Sequence, residues 1–224
     1  IGSGLVGSEM CIRDRQKDGV DYVVETPYRA EDLPELRFTQ SMDTVYIAHP
    51  LYHPRTLVRN ASNNWTFAKF DKQDGPYDLE NLDSKKKLKV AAKTGTGIVL
   101  TANFDCFDSN MVGRLVRLTI NKKPGWGVIT AYTDAKNVKI DIKKEIADVT
   151  ETTAWRLGAW YGAEGNTTKS HYPAAVAFHM ERLYFGGGLY TPQTVQGSRP
   201  GDFPVFSPTD DDCLLYTSPS PRDR

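Results

Sequence analysis

Short alternations of apolar and polar residues run through the chain, and each one ends at a glycine, a proline or a polar turn. The densest series lies between Trp155 and Phe206, where bursts at residues 174–178 and 183–185 are separated by Gly- and Pro-containing connectors. A period of two residues bounded by turn formers is typical of consecutive antiparallel β-strands. The pattern therefore predicts an all-β protein.

The same pattern predicts four short strands nearer the N-terminus, at residues 36–40, 44–48, 55–59 and 65–70. Helical periodicity is nearly absent. The best helical candidate, residues 32–36, contains Pro34, which limits it to a turn. Four antiparallel strands within roughly 35 residues is the size of one blade of a β-propeller.

The two groups of strands are related by an internal repeat. One constant offset in residue number relates three pairs: Tyr46 and Tyr184, Leu57 and Val195, and Trp65 and Phe203. The pair Phe38 and Phe178 departs from this offset by two positions, which implies a slip of that size in a turn. We therefore assign residues 16–87, with a polar linker from residue 71, and residues 151–212 to the first and second parts of a partial β-propeller with antiparallel blades.

A different unit lies between the two parts. It contains four strand patterns, at residues 97–101, 114–120, 127–132 and 137–142, with turn sequences at 121–125 and 133–136. We predict that residues 88–150 form a small β-barrel inserted between blades. Residues 89–146 are expected to close on a core of their own.

Several strings resemble a known family over residues 20–210. They are LRFTQSMDTVYIAHP at residues 36–50, GRLVR at 113–117, WGVITAYT at 126–133 and the strand series between 155 and 206. Together they resemble the tail nozzle proteins of short-tailed bacteriophages, often called tail tubular protein B. The chain departs from that pattern at Gln196-Gly197, where a Trp-Gly or Trp-Ala pair is expected, and in a lengthened loop at 162–170.

The resemblance implies a structural part of a virion rather than an enzyme. It implies a homo-oligomeric ring below the phage portal and adaptor that contacts tail fibre proteins. Genomic DNA would pass through its lumen without specific binding, and the protein would be made in the bacterial host cytoplasm. It implies no catalytic residue, no cofactor, no metal site and no membrane insertion by this segment.

Both ends of the chain resemble translated sequencing adapter. Residues 10–15, MCIRDR, back-translate to ATG TGT ATA AGA GAC AGR, and residues 213–218, CLLYTS, to TGT CTC TTA TAC ACA TCT. These strings resemble the two orientations of one transposase mosaic end used in library preparation. We therefore set residues 1–15 and 213–224 aside and expect residues 16–212 to be a fragment of a longer protein with further blades. The alternative is that both ends are polar tails of the protein.

Charge and cysteine content then exclude several classes of function. Removing both ends lowers Lys plus Arg from 28 to 24 and Asp plus Glu from 28 to 25, so the net charge becomes −1. A chain near neutrality does not predict a dedicated nucleic-acid binder, which normally carries a basic excess. Cys106 alone remains, and one cysteine forms neither an internal disulfide nor a cysteine-based metal cluster. No apolar run approaches the roughly 20 residues that span a bilayer.

Candidate chemistry is sparse. His49 and His53 have an i, i+4 spacing that suits metal ligation on a helix, but Pro50 and Pro54 forbid one, so a surface loop is expected. Asp105 and Asp108 could form a carboxylate pair for glycoside hydrolysis, but turn capping is the favoured interpretation.

Four further features have structural interpretations. The Asp210–Asp212 run could bind a cation and is interpreted as a polar turn. The Gly186–Gly188 run predicts a bulge or bend, because no helix follows it as a phosphate loop requires. The Lys85–Lys87 run is interpreted as a solvated face, with a phosphate contact as the alternative. Arg156 and Arg182 are expected to stack on rings or bridge blades, with a place in a DNA channel as a minor option.

A second hypothesis belongs to another class of function. The chain could be a host-glycan binding or degrading tail protein, because propellers can carry such sites. The aromatic residues Tyr28, Tyr52, Trp160 and Tyr161, if exposed, could stack on sugar rings. The fold alone does not license that inference.

Overall fold

The computed structural model describes residues 23–60 and 64–207 in full, together with the backbone of the paired strands β1 (Gln16–Lys17) and β2 (Val20–Asp21). In these residues the helices are two 3-10 turns, Ala30–Glu35 and Ser109–Met111, and the remaining elements are strands. The all-β prediction is confirmed. The ends interpreted as adapter, residues 1–15 and 213–224, lie outside the described residues.

The first sheet contains four antiparallel strands in chain order. They are β3 (Arg37–Ser41), β4 (Thr44–His49), β5 (Tyr52–Asn60) and β6 (Asn64–Lys69). Each predicted strand is present, and β5 begins three residues earlier than its apolar pattern. The β3–β4 turn is a two-residue hairpin in which Met42 has a φ of 52°. A positive φ matches the hairpin to the right-handed twist of the strands.

A six-stranded half-barrel sheet lies between the two smaller sheets along the chain. It consists of β7 (Leu88–Val90), β8 (Ile98–Ala102), β9 (Leu115–Ile120), β10 (Lys123–Asp134), β11 (Asn137–Lys144) and β12 (Trp155–Leu157) in the spatial order β12-β9-β10-β11-β8-β7. The sheet curls so that its edge strand β7 reaches the segment that leads into the other edge strand, β12. The backbones of Leu88 and Thr152 exchange hydrogen bonds of 3.0 and 2.9 Å.

The half-barrel extends beyond the boundaries taken from the sequence. Trp155–Leu157, assigned by pattern to the second propeller part, pairs with β9, with Arg156 opposite Arg117. Leu88 and Leu157 both belong to the half-barrel core. The core therefore closes only when the segment after residue 150 returns to cover β9. Its buried members are Leu88, Val90, Leu100, Ala102, Phe107, Met111, Val116, Leu118, Ile120, Ile129, Val138, Ile140, Ile146 and Leu157.

The second sheet has three antiparallel strands, β15 (Ala175–His179), β16 (Arg182–Gly186) and β17 (Val195–Gly197). A small hairpin of β13 (Tyr161–Gly162) and β14 (Ser170–His171) precedes it. The fourth strand that the repeat predicts around Phe203 is not formed. Pro200, Gly201 and Pro204 turn the chain there, and the backbone of residues 204–206 pairs with residues 73 and 74 instead.

The segment interpreted as a polar linker is part of the packed structure. Tyr77 is 1% exposed, and its hydroxyl donates a 2.6 Å hydrogen bond to Asp74 Oδ1. The Asp74 carbonyl accepts from the Phe206 amide at 2.8 Å, and Tyr77 bridges to Gly158. Residues 74–78 therefore join the half-barrel to the sheets.

Candidate functional site

The two sheets pack face to face through an aromatic cluster. Tyr46 on β4 contacts Phe178 on β15, with ring centroids 5.4 Å apart, and both rings contact Phe203. Phe203 thus fills the space between the sheets instead of extending the second one. The buried members of the cluster are Tyr46, Ala48, Phe70, Trp160, Tyr172, Leu183, Phe185 and Phe206.

Equivalent residues of the two hairpins keep the offset that relates Tyr46 to Tyr184. Ser41 pairs with Thr44 across the first turn and His179 with Arg182 across the second, so Met42 is equivalent to Met180, and both have positive φ. Phe38 is therefore equivalent to Val176 rather than to Phe178. The two-residue slip inferred from the sequence does not occur.

The third strands do not keep this relation. In the first sheet, Leu57 pairs with Val45. Leu183 is equivalent to Val45, but its carbonyl accepts a 2.8 Å hydrogen bond from the amide of Ser198. The loop between β16 and β17 is longer than the loop between β4 and β5 and shifts the strand by three residues.

This equivalence shows that the two sheets use opposite faces in their contact. The first sheet contributes the face that carries Tyr46. The second sheet contributes Leu183 and Phe185, which are 0% and 1% exposed and are equivalent to Val45 and Ile47. Tyr184, the equivalent of Tyr46, lies on the far face of the second sheet. The sheets are thus stacked in the same sense, front to back, rather than as mirror-related halves.

The outer face of the first sheet carries the equivalents of those buried residues. Phe38 is 73% exposed there, beside Ile47, its cross-strand partner. Val45 and Leu57 pair on the same face and are half-buried. They line an open cleft of about 410 Å³ together with Val24, Gln40, Asp43, Arg59 and Trp65.

A lysine and a histidine meet at the margin of the aromatic cluster. His53 Nε2 lies 2.8 Å from Lys72 Nζ, and His53 Nδ1 lies 2.8 Å from the Pro54 carbonyl oxygen. Burial, and then the neighbouring Lys69, lower the pKa of Lys72 to about 8. Burial, followed by the Lys72 ammonium, holds the pKa of His53 well below its usual 6.5. The geometry fits a neutral imidazole that donates from Nδ1 and accepts from Lys72.

A stacked column joins the half-barrel to the second sheet. The Arg114 guanidinium lies 3.7 Å from the ring centroid of Tyr161. The Tyr161 ring stacks on His171 with centroids 4.1 Å apart, and the His171 ring stacks on Tyr190 with centroids 4.3 Å apart. Arg114 is 4% exposed and donates to the Gly158 carbonyl at 2.7 Å and to Asp78 Oδ2 at 2.6 Å. Burial, and then the Arg114 charge, lower the pKa of His171, so the column carries one cation at its base.

The two histidines singled out by spacing do not converge. His49 ends β4, is 1% exposed and accepts a 3.1 Å hydrogen bond at Nδ1 from the Leu51 amide; its Nε2 is 3.9 Å from Glu35. His53 packs against Trp160 and Tyr172 instead. The expectation of a surface loop was wrong, because both rings are covered by aromatic side chains. Across the described residues, no group of three or more His, Cys, Asp or Glu side chains could hold a metal ion.

The acidic and glycine motifs have structural positions. Asp108 accepts from the Asn110 amide at 2.7 Å and caps the 3-10 turn Ser109–Met111, which confirms the capping interpretation for that residue; Asp105 is exposed. Gly187 has a φ of +73°, and a Cβ at Gly188 would lie 3.0 Å from the Tyr172 carbonyl oxygen, so this run forms the predicted bend. Asp210–Asp212 lies outside the described residues.

The aromatic residues assigned to sugar stacking are not free to stack on a ligand. Tyr52 and Trp160 are 4% and 3% exposed. Tyr28 packs edge-on against Tyr52 and Phe67, and Tyr161 is held between Arg114 and His171. The support that these four residues lent to a glycan site is therefore removed.

Sequence reasoning missed the residues that connect the units. Arg156, expected to stack on a ring or to bridge blades, forms a 3.3 Å contact with Glu80, whereas Arg114 makes a ring contact. The sequence signal for Arg114 was its position as an arginine at the start of an otherwise apolar strand pattern. Lys72 carried no signal, because its partner lies 19 residues away on β5.

Within the described part of the chain, no helix has the length and apolar character needed to cross a membrane. Comparison with known protein families and with curated proteins finds no match to this chain.

Proposed function

We propose that the chain is a structural component of a bacteriophage tail, part of the nozzle below the portal and adaptor through which DNA is ejected. The support for this proposal is the front-to-back stacking of the first and second sheets. In such a stack every sheet uses one face toward the sheet before it and the opposite face toward the sheet after it. Tyr28 covers Phe67 on the outer face of the first sheet, and the part around Phe38 is exposed and can receive a further sheet in the same sense. Contacts between non-equivalent faces generate a ring when the rotation closes.

In this proposal another antiparallel sheet packs on the outer face of the first sheet. It presents a face equivalent to the one that carries Tyr46 in the first sheet. The argument rests on equivalence. Leu183 and Phe185 are buried in the aromatic cluster that also contains Tyr46, and Val45 and Ile47 occupy the same positions in the first sheet. Phe38, at 73% exposure, would contribute about 1.5–3 kcal/mol if it were fully buried there.

The role is passive in this proposal. The stacked sheets hold the wall of a conduit, and the half-barrel is carried on that wall through Arg114 and residues 74–78. The motif resemblance over residues 20–210 selects the phage tail among the assemblies that such a stack could build.

The test is assembly of the full-length gene product with the portal and adaptor proteins encoded beside it, observed by negative-stain electron microscopy. We expect rings or tubes from the wild type, loss of them with Phe38→Asp, and retention with Val99→Asp. Val99 is 40% exposed on the half-barrel and serves as the matched control. Persistent monomers of the wild type, or equal behaviour of the two variants, would contradict the proposal.

A further inference from the structure

Charge is strongly segregated between the half-barrel and the rest of the chain. Residues 85–157, which are the half-barrel with the lysine run before it, contain 14 Lys and Arg against 7 Asp and Glu, a net charge of +7. Residues 16–84 and 158–212 together carry −8. The near-neutral total therefore conceals a basic module on an acidic support, and a basic module is the electrostatic footprint of a polyanion site.

The fold gathers part of this charge on one continuous surface. Lys89 on β7 is paired with Thr101 on β8, and Thr101 with Asn137 on β11, so these three side chains form one row on the outside of the sheet. Lys139 lies two residues further along β11 on the same face, and Lys136 lies in the turn before Asn137.

Lys85 extends the row, because its carbonyl accepts from the Asn103 side chain just beyond β8. We call Lys85, Lys86, Lys89, Lys136 and Lys139 the lysine surface; all five are exposed.

Among the described residues these ammonium groups form no direct ion pair. The Asp134 carboxylate, whose pKa is lowered chiefly by its hydrogen bond from the Lys136 amide, also interacts with the Lys136 charge. In the described ranges, ion pairs hold Lys87 to Glu151 and Lys93 to Asp148, and none holds a member of the lysine surface. The nearby carboxylates serve the backbone: Asp134 accepts from the amides of residues 136 and 137, and Asp83 from that of residue 85. Lys86 also lies 5.4 Å from the Phe104 ring centroid and stays exposed.

The geometry points to the phosphate backbone of double-stranded DNA as the ligand of the lysine surface. We infer that the half-barrel binds duplex DNA without sequence preference. Lys89 and Lys139 are separated by two strand spacings across the sheet and by two residues along it, so their Cα atoms lie about 12 Å apart. At roughly 3.4 Å of helix axis for each phosphate, this distance spans three or four phosphates along one DNA strand. The choice of DNA rests on the proposed function; the polyanion site itself rests on the charge and its placement.

An anionic membrane surface is the less suitable partner. Thr101 and Asn137 lie in the row between Lys89 and Lys139, and the Thr101 hydroxyl donates to Asn137 Oδ1 at 2.9 Å. Val99, the cross-strand partner of Lys139, adds one apolar side chain, 40% exposed, among these polar groups. Interfacial membrane binding combines basic residues with apolar side chains that enter the lipid. The row provides the charges and hydrogen-bonding groups of a phosphate contact instead.

The experiment is fluorescence anisotropy of a labelled short duplex DNA with the full chain, between about 50 and about 200 mM NaCl. The surface variant is K89Q/K136Q/K139Q. The matched control, K123Q/K143Q/K144Q, removes the same charge from exposed lysines at the opposite end of the β10–β11 hairpin. Thermal melts of both variants establish that the fold is kept.

We expect the wild type to bind with a steep salt dependence. The surface variant should lose about tenfold in affinity, and the slope of log K against log salt should fall by up to about 2.7, at roughly 0.9 for each phosphate contact. The control should change affinity less than about threefold.

Three results would overturn the inference: no binding at about 50 mM NaCl, equal losses in both variants, or tighter binding to phosphatidylglycerol vesicles than to DNA. None of them affects the sheet-stacking test, since both triple variants leave the face with Phe38 intact.

Discussion

Replacing Phe185 by Ala tests the assignment of inner and outer faces most directly. Phe185 is 1% exposed, and its ring lies 4.9 Å from Trp160, 5.7 Å from Phe70 and 6.1 Å from Phe206. A buried Phe→Ala change costs about 3–5 kcal/mol in free energy of unfolding. A domain of ordinary stability, about 5–15 kcal/mol, would lose a large part of its margin.

The matched control is Phe38→Ala, the same chemical change at a side chain that is 73% exposed on the outer face. In the free chain it should change the free energy of unfolding by no more than about 0.5 kcal/mol. Urea denaturation gives both values. Hydrogen exchange locates them: amides of β15 and β16 should exchange faster in Phe185→Ala, while those of β9 and β11 should keep their protection.

Two outcomes would refute this reasoning. A loss below about 1 kcal/mol for Phe185→Ala would mean that the two sheets do not share a packed interface. An equal loss for Phe38→Ala would mean that the outer face is already covered in the free chain.

Three further predictions concern a charge, a turn and a domain. The wild type should gain free energy of unfolding between about pH 8 and pH 10.5, because the pKa of Lys72 is about 8 in the folded chain and 10.5 in the unfolded chain, so the unfolded chain binds more protons in this window. Lys72→Met should remove this rise, which urea midpoints at several pH values will measure. Gly162→Ala should lower the melting temperature by more than Gly201→Ala. Both glycines have positive φ, but a Cβ at Gly162 would clash with the Lys169 carbonyl, whereas a Cβ at Gly201 has no atom within 4 Å. Equal shifts in melting temperature would contradict this prediction. Limited proteolysis should leave a resistant piece spanning residues 88–157, identified by mass spectrometry, and uniform resistance would show that the half-barrel is not a separate unit.

Composition and local patterning determined the fold class and most strand positions. The strands predicted at 44–48 and 137–142 appear as Thr44–His49 and Asn137–Lys144. Alternation is a local property of a strand with one buried face, so it can be found without knowing what covers that face. The constant offset between the two hairpins was visible for the same reason, since turn and strand lengths are local.

Pairings between distant segments were decided by tertiary structure. β12 joined the half-barrel because Leu157 completes its core, and Phe203 left the predicted fourth strand because Pro200 and Pro204 turn the chain and its ring fits between the two sheets. No short-range pattern records which apolar face meets which, because the hydrophobic effect has no direction. Strand period therefore determined which residues share a face, and only packing decided that Phe185 is covered while Phe38 is exposed.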